Sequence, residues 1–230
     1  MEHPYTNKCI QLTIPNRPSQ STSLSWTDFF TQELYLEDND PSTNLHIIHH
    51  VYLIPPSESA PLFVMHHGAG SSGLSFAACA GEIRKILPKA GILSLDCRDH
   101  GSTRVTKTTD DSRVEMDLTL ETLSRDLVFV IRETQSKLGW GQDLPDIVLV
   151  GHSLGGAVVT DVAKQGALGQ KVLAYAVLDV VEGTYIYPLF LSCANNVAHA
   201  PLQALQWMLS RVWRNTFLPD QIASRLLHRE

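Results

Sequence analysis

Residues 147–163 read "IVLVGHSLGGAVVTDVA", in which an apolar run meets Gly-His-Ser-Leu-Gly and then a segment with helical character. The pentapeptide matches the G-x-S-x-G pattern, where a tight turn between a strand and a helix exposes a serine hydroxyl. A glycine-rich turn with a capping serine is the alternative, and the flanking strand and helix patterns argue against it. The stretch therefore predicts that Ser153 is a nucleophile, which requires a base supplied from elsewhere.

Apolar strand patterns alternate with helical patterns on both sides of this turn. Nearly continuous apolar strands separated by helices are typical of a parallel sheet covered on both faces, so the predicted fold class is α/β with a mostly parallel sheet. We predict strands within 44–54, 61–67, 92–95, 146–151 and 171–179, and helices over 74–89 and 118–138. We also predict a flexible leader at 1–24, a core at 25–184 and a cap-like helical segment at 185–230, with a helix near 201–214.

Composition narrows the class of partner. The 230 residues are 43% hydrophobic and carry a net charge of −6, which suits one globular domain and gives no electrostatic case for nucleic acid or an anionic membrane. Four scattered cysteines without a C-x-x-C pair argue against a zinc knuckle or a disulfide scaffold. Reduced thiols predict a cytoplasmic or nuclear protein. The longest apolar region, 172–194, is interrupted by charged residues, glycine and proline, and no signal peptide is predicted.

Reactive groups should gather at the carboxyl ends of the parallel strands. "HGAG" at 67–70 follows one strand at the position where this fold carries its second oxyanion donor loop. We expect oxyanion or substrate contacts from the backbone of Leu154, Ala69 and Gly70. A glycine-rich turn that binds no ligand is the alternative for this loop.

Asp179 ends a predicted strand 26 residues after Ser153, where it could orient a catalytic histidine. Glu182 is its rival, and a helix cap or a solvated carboxylate is the alternative role. Asp96 and Asp99 precede the serine, so we expect them to be structural, with Arg98 as a local ion-pair partner.

The base is harder to assign. Of the ten histidines, His199 and His228 follow Asp179, and neither stands after a predicted strand and turn. His152 and His67 flank the reactive loops, where they would point away from Ser153 or build the loop. The sequence therefore contains no histidine in the expected context.

The motifs together resemble the protein phosphatase methylesterases, which are α/β-hydrolases. The resemblance rests on "WTDFF", "HHGAGSSGLSFA", "LSLDCRDHGST", "ETLSRDL", "IVLVGHSLGGAVV" and "VLDVVEGT", in that order, and covers about residues 25–184. "DVVEGT" at 179–184 is the most discriminating piece. One departure is that Ala69 replaces a glycine in the family's usual HGGG loop.

The resemblance implies a serine carboxylesterase that removes the methyl ester from the C-terminal leucine of the protein phosphatase 2A catalytic subunit. It implies Ser153 as nucleophile, Asp179 as triad acid, no metal and no organic cofactor. The family's histidine lies after two further strands, so the comparison implies a shortened form lacking the last strands. Two alternatives stay open, an inactive chain that only binds the phosphatase and a small-molecule carboxylesterase.

Overall fold

A computed structural model describes residues 24–40, 43–57, 59–109, 114, 117–141 and 143–178, and the strand backbone at 181–182, 185–186 and 190–193. The strands are β1 (Gln32–Asp40), β2 (Leu45–Ile54), β3 (Leu62–His66), β4 (Gly91–Asp96), β5 (Arg104–Lys107), β6 (Ile147–His152), β7 (Val172–Leu178), β8 (Val181–Glu182), β9 (Tyr185–Ile186) and β10 (Phe190–Cys193). The α-helices are α1 (Ala77–Ile86), α2 (Leu120–Leu138) and α3 (Leu154–Gln165), with 3₁₀ turns at Trp26–Asp28, Gly73–Phe76 and Gly169–Lys171.

One sheet organises the fold, in the order β1-β2-β4-β3-β6-β7-β10, with β5 also paired to β2. The central strands β4, β3, β6 and β7 are parallel, whereas β1, β2, β5 and β10 pair antiparallel. The predicted α/β class with a mostly parallel centre is confirmed. The antiparallel flanks were not predicted, because strand direction depends on connections that apolar patterns do not report.

The central strands bury both faces, as their continuous apolar sequences predict. In β3, Leu62 and Val64 join the core cluster under α2 and α3, while Phe63 and Met65 join the cluster under α1. This alternation follows from the two-residue period of a strand. The helices therefore lie on opposite faces of the sheet, and the carboxyl ends of the parallel strands are left for loops.

Five of the described strands were not predicted from the sequence: β1, β5, β8, β9 and β10. β1, which reads "QELYLEDND", pairs only with β2 at the edge of the sheet, where charged side chains are common. β5 has four residues. β10 pairs antiparallel with β7, so the expectation that no strand precedes His199 is wrong. The predicted leader and the helix predicted at 201–214 lie outside the described residues, and the predicted domain boundaries remain predictions.

A buried ion pair joins the loop after β4 to α2. Arg98 is 1% exposed, and its guanidinium donates to both carboxylate oxygens of Asp126, through Nε to Oδ2 and through Nη2 to Oδ1 at 2.9 Å. The sequence predicted a local ion pair of Arg98 with Asp96 or Asp99, whereas the bidentate hydrogen bonds of its guanidinium go to Asp126. The true partner lies 28 residues away, and the fold brings it close by packing α2 over the sheet.

Replacing Asp126 by Asn should destabilise the fold strongly, because Arg98 would keep its charge in the interior without a counter-ion. We expect a loss of about 3 kcal/mol in the free energy of unfolding, as found when one member of a buried pair is removed. Urea unfolding measures it. The exposed Asp143 provides the matched change, Asp143→Asn, and equal losses in both variants would contradict the proposed role of the pair.

His49 gives the fold a pH dependence on its acid side. Burial lowers its pKa to about 4, while Asp126 raises the pKa and Arg98 lowers it by smaller amounts. Both of its ring nitrogens lack a partner among the described residues. The unfolded chain therefore binds a proton below about pH 6.5 that the folded chain refuses until about pH 4. Stability should fall as the pH falls through this window.

The variant His49→Phe keeps an aromatic ring beside Phe129, which now lies 5.4 Å from the imidazole centroid. Between pH 6.5 and 4.5 we expect its free energy of unfolding to fall by about 2 kcal/mol less than that of the wild type. Chemical denaturation at several pH values measures the difference. Parallel curves for the two proteins would show that His49 is not the titrating group.

Candidate active site

Ser153 occupies a strained turn between β6 and α3. Its backbone angles are φ 50° and ψ −117°, a conformation that non-glycine residues rarely adopt and that costs on the order of 1–3 kcal/mol. The residue is exposed, and its N–H donates to the carbonyl of Leu178 at 3.0 Å. The turn therefore presents the serine outward at the carboxyl end of the central strands, as the pattern predicts.

The two flanking glycines are sterically required. A Cβ atom on Gly151 would lie 2.2 Å from the carbonyl oxygen of Gly155, and one on Gly155 would lie 2.0 Å from the carbonyl oxygen of His66. Both contacts are with backbone, in α3 and at the end of β3, which cannot move aside as the end of a flexible side chain could. The turn therefore requires glycine at positions 151 and 155.

The loop after β3 lies directly beside the serine. A Cβ atom on Gly68 would lie 3.0 Å from the Ser153 Cβ and 2.9 Å from Nδ1 of His152. This contact brings the predicted donor loop, 67–70, to the nucleophile. The loop after β3 and the turn after β6, both predicted to carry reactive groups, thus lie side by side.

The backbone amides around Ser153 are unequal as donors. Leu154 is the first residue of α3, so its N–H has no acceptor within the helix. The Gly70 N–H already donates to Nε2 of His100 at 2.9 Å. Ala69 is exposed, and its N–H makes no hydrogen bond to a residue that the structure describes. The predicted roles of Leu154, Ala69 and Gly70 remain predictions, and the geometry favours the first two as donors.

His67 is part of the loop and is not placed to act as a base. It is fully buried, its Nε2 accepts the Cys97 N–H at 3.0 Å, and its Nδ1 therefore carries the proton and donates to the Gly68 carbonyl at 2.7 Å. Burial lowers the pKa of His67. Both nitrogens are committed to the backbone, in agreement with the expectation that His67 builds the loop.

Asp96 links three segments under the site. Its carboxylate accepts the N–H groups of Gly73 at 2.7 Å and Ser102 at 2.9 Å, and it lies 2.8 Å from Nδ1 of His50. Burial alone would raise the pKa of Asp96, but these hydrogen bonds lower it. The expected structural role of Asp96 is confirmed, and it acts through these neighbours rather than through Arg98.

The other predicted members of the triad cannot be placed. Asp179, His199 and His228 lie outside the described residues, and of Glu182 the structure gives only the strand backbone. Asp179 directly follows Leu178, whose carbonyl accepts the Ser153 N–H, so the chain at least passes the nucleophile there. Among the described residues there is no cluster of metal-ligating side chains, and no helix is both long and apolar enough to cross a membrane.

Sequence analysis assigned no role to His100. The available signal was its place in "DCRDHG", a polar loop after a buried strand, next in space to the donor loop. Its partner, the amide of Gly70, is a backbone group that no side-chain pattern reveals.

An exposed serine in a strained turn between a central parallel strand and a helix, beside a second glycine loop, defines an α/β-hydrolase. A sequence profile of the alpha/beta hydrolase family matches residues 63–229, and the chain belongs to this family. A solved structure of an epoxide hydrolase from Vigna radiata aligns with a TM-score of 0.46 at 22% identity, over 65% of this chain and 38% of that one.

Sequence relatives carry a more particular name. The chain is 70% identical over 173 residues to protein phosphatase methylesterase 1 of Aspergillus oryzae, covering 75% of this chain and 40% of that protein. It is 50% identical over 201 residues to the protein of the same name from Gibberella zeae, covering 84% and 48%. The resemblance inferred from the motifs is thereby confirmed. The chain spans less than half the length of these two relatives.

The contact between Gly68 and Ser153 predicts a sensitive position. In Gly68→Ala, the added methyl group would press on Ser153 and His152, and the nucleophile would be displaced. We expect the rate of Ser153 acylation by a fluorophosphonate to fall at least about tenfold, since a 1 Å misplacement can cost about 100-fold.

Gly81→Ala is the matched control, because a Cβ atom there meets nothing within 4 Å and Gly81 lies inside α1. It should raise helix stability by up to about 1 kcal/mol and leave the acylation rate unchanged. Unchanged acylation in Gly68→Ala would show that the loop does not constrain the serine.

Proposed function

We propose that this chain is a serine carboxylesterase that removes the methyl ester from the C-terminal leucine of the protein phosphatase 2A catalytic subunit, with Ser153 as its nucleophile. The observation that carries the proposal is the strained, exposed Ser153 with Gly68 of the donor loop against it. The curated relatives named protein phosphatase methylesterase support the substrate class. We place this activity in the cytoplasm or nucleus. The proposed reaction requires no metal and no organic cofactor.

The reaction would be an acyl transfer in two steps. A histidine oriented by Asp179 takes the Ser153 proton while Oγ attacks the ester carbonyl carbon, and the amides of Leu154 and Ala69 stabilise the oxyanion. The bond from carbon to the methoxy oxygen then breaks, and methanol leaves with the proton from the histidine. Water activated by the same histidine hydrolyses the acyl-serine and restores the enzyme.

The histidine decides between hydrolysis and binding alone. His67 is committed to the loop backbone. The histidines that follow Asp179 in the sequence are His199 and His228, which lie outside the described residues. Without a base, the rate would fall by about 10⁶-fold. A chain that binds the phosphatase without hydrolysing its ester is therefore the second candidate, and a small-molecule esterase is the third.

Labelling of the purified chain with a fluorophosphonate tests the first proposal. We expect rapid labelling of the wild type and its complete loss in Ser153→Ala, because an unassisted serine hydroxyl reacts too slowly to be labelled. Separate His199→Gln and His228→Gln variants then identify the base. The labelling rate of the variant that lacks the base should fall by several orders of magnitude.

Turnover of two substrates separates the candidates. A methyl-esterified phosphatase, followed by release of methanol, should be demethylated faster than a simple acyl ester such as p-nitrophenyl acetate. The opposite order would favour the small-molecule esterase. If the wild-type chain binds the phosphatase but is neither labelled nor active, the result would contradict the esterase proposal and support a protein that only binds the phosphatase.

A further inference from the structure

Three hydrogen bonds tie the loop after β3 to the loop after β4. The Cys97 N–H donates to Nε2 of His67, the Gly73 N–H donates to Oδ1 of Asp96, and the Gly70 N–H donates to Nε2 of His100. The first two are buried and hold the ends of the 67–73 segment. The third holds its exposed middle, where the predicted oxyanion donors lie.

His100 is itself firmly oriented. Its Nδ1 lies 2.6 Å from the carbonyl oxygen of Arg98, and since Nε2 accepts a hydrogen bond, Nδ1 carries the proton and donates it. The ring also stands 5.0 Å from the ring of His67, measured between centroids. Arg98, whose carbonyl fixes the ring, is in turn anchored to α2 by Asp126. The acceptor at Nε2 therefore has a fixed position relative to the sheet.

In this loop the Gly70 N–H is already hydrogen-bonded, whereas the neighbouring Ala69 N–H makes no hydrogen bond to a described residue. Gly70 has φ 72°, a conformation that turns the chain sharply after Ala69. With the Gly70 N–H held by His100, the peptide group between residues 69 and 70 cannot rotate freely. The Ala69 N–H, two bonds from that peptide group along the backbone, is the exposed donor that the loop can offer to an oxyanion.

We propose that His100 is a positioning residue for oxyanion stabilisation, which fixes the Ala69–Gly70 peptide group by accepting the Gly70 N–H. This role rests on the proposed esterase function. His100 itself touches no reacting atom. It also gives Gly70 a different task from the donor role expected of it, because its amide serves the loop and not the substrate.

The hydrogen bond can be tested in the wild-type chain without any substitution. With ¹⁵N-labelled glycine and histidine, a coupling across the hydrogen bond should join the Gly70 nitrogen to Nε2 of His100. Selective labelling simplifies the spectrum, since Gly70, Gly81 and Gly91 are the glycines that follow an alanine. Carbonyl-¹³C alanine with ¹⁵N glycine picks out these three, and Ala69→Ser assigns Gly70 by its loss. Absence of the coupling would overturn the proposal.

The role in acylation is tested by His100→Leu and His100→Gln, with His46→Leu as the matched control on β2. Leucine removes the acceptor, and glutamine can supply a side-chain oxygen in its place. We expect the maximal fluorophosphonate labelling rate of His100→Leu to fall about 10- to 100-fold with little change in the inhibitor constant, because donor geometry acts on the transition state. His100→Gln should recover part of the rate, and His46→Leu should match the wild type.

Other outcomes separate the two proposals. Unchanged labelling in His100→Leu, or an equal fall in His46→Leu, would overturn the positioning role while the esterase function stands. A wild-type chain that is not labelled would overturn the esterase function and, with it, the catalytic meaning of His100. The Gly70 coupling would then still decide whether His100 holds the loop.

Discussion

The turn at Ser153 is the constraint on which the rest of the site depends. Its left-handed φ lifts the hydroxyl out of the strand direction, and the strain is tolerated because β6 lies between β3 and β7 in the centre of the sheet. The clearance between Gly155 and the His66 carbonyl leaves no space for a side chain. The position of Ser153 is thus set by backbone contacts between the start of α3 and the end of β3.

Three polar side chains under the site are paired with other groups of the protein rather than with solvent. His67, Asp96 and Arg98 are all buried, and each has its partner within hydrogen-bonding distance: Cys97, Gly73 and Asp126 respectively. A buried network of this kind is stable only if its members are paired, so it fixes the loops in one arrangement. The strand ends therefore present preorganised backbone amides, which is what stabilisation of an oxyanion requires.

The family and the substrate rest on different observations. The family follows from a profile that matches residues 63–229 and from the geometry of the serine turn. The substrate rests on relatives of which this chain spans less than half, and so it remains a proposal. Hydrolysis depends on the histidine base. Labelling of Ser153 in the histidine variants identifies that base directly.

The sequence by itself determined the α/β class, the central strands and the tight turn at Ser153, because apolar periodicity and the G-x-S-x-G glycines are local properties of neighbouring residues. Only the tertiary structure decided the antiparallel edges, the pairing of Arg98 with Asp126 and the hold of His100 on Gly70. Each of these contacts joins residues far apart in the chain or involves a backbone amide. The pattern of side chains along the sequence predicts neither proximity in space nor main-chain geometry. The physical reason is that these contacts depend on which segments the folded sheet brings together.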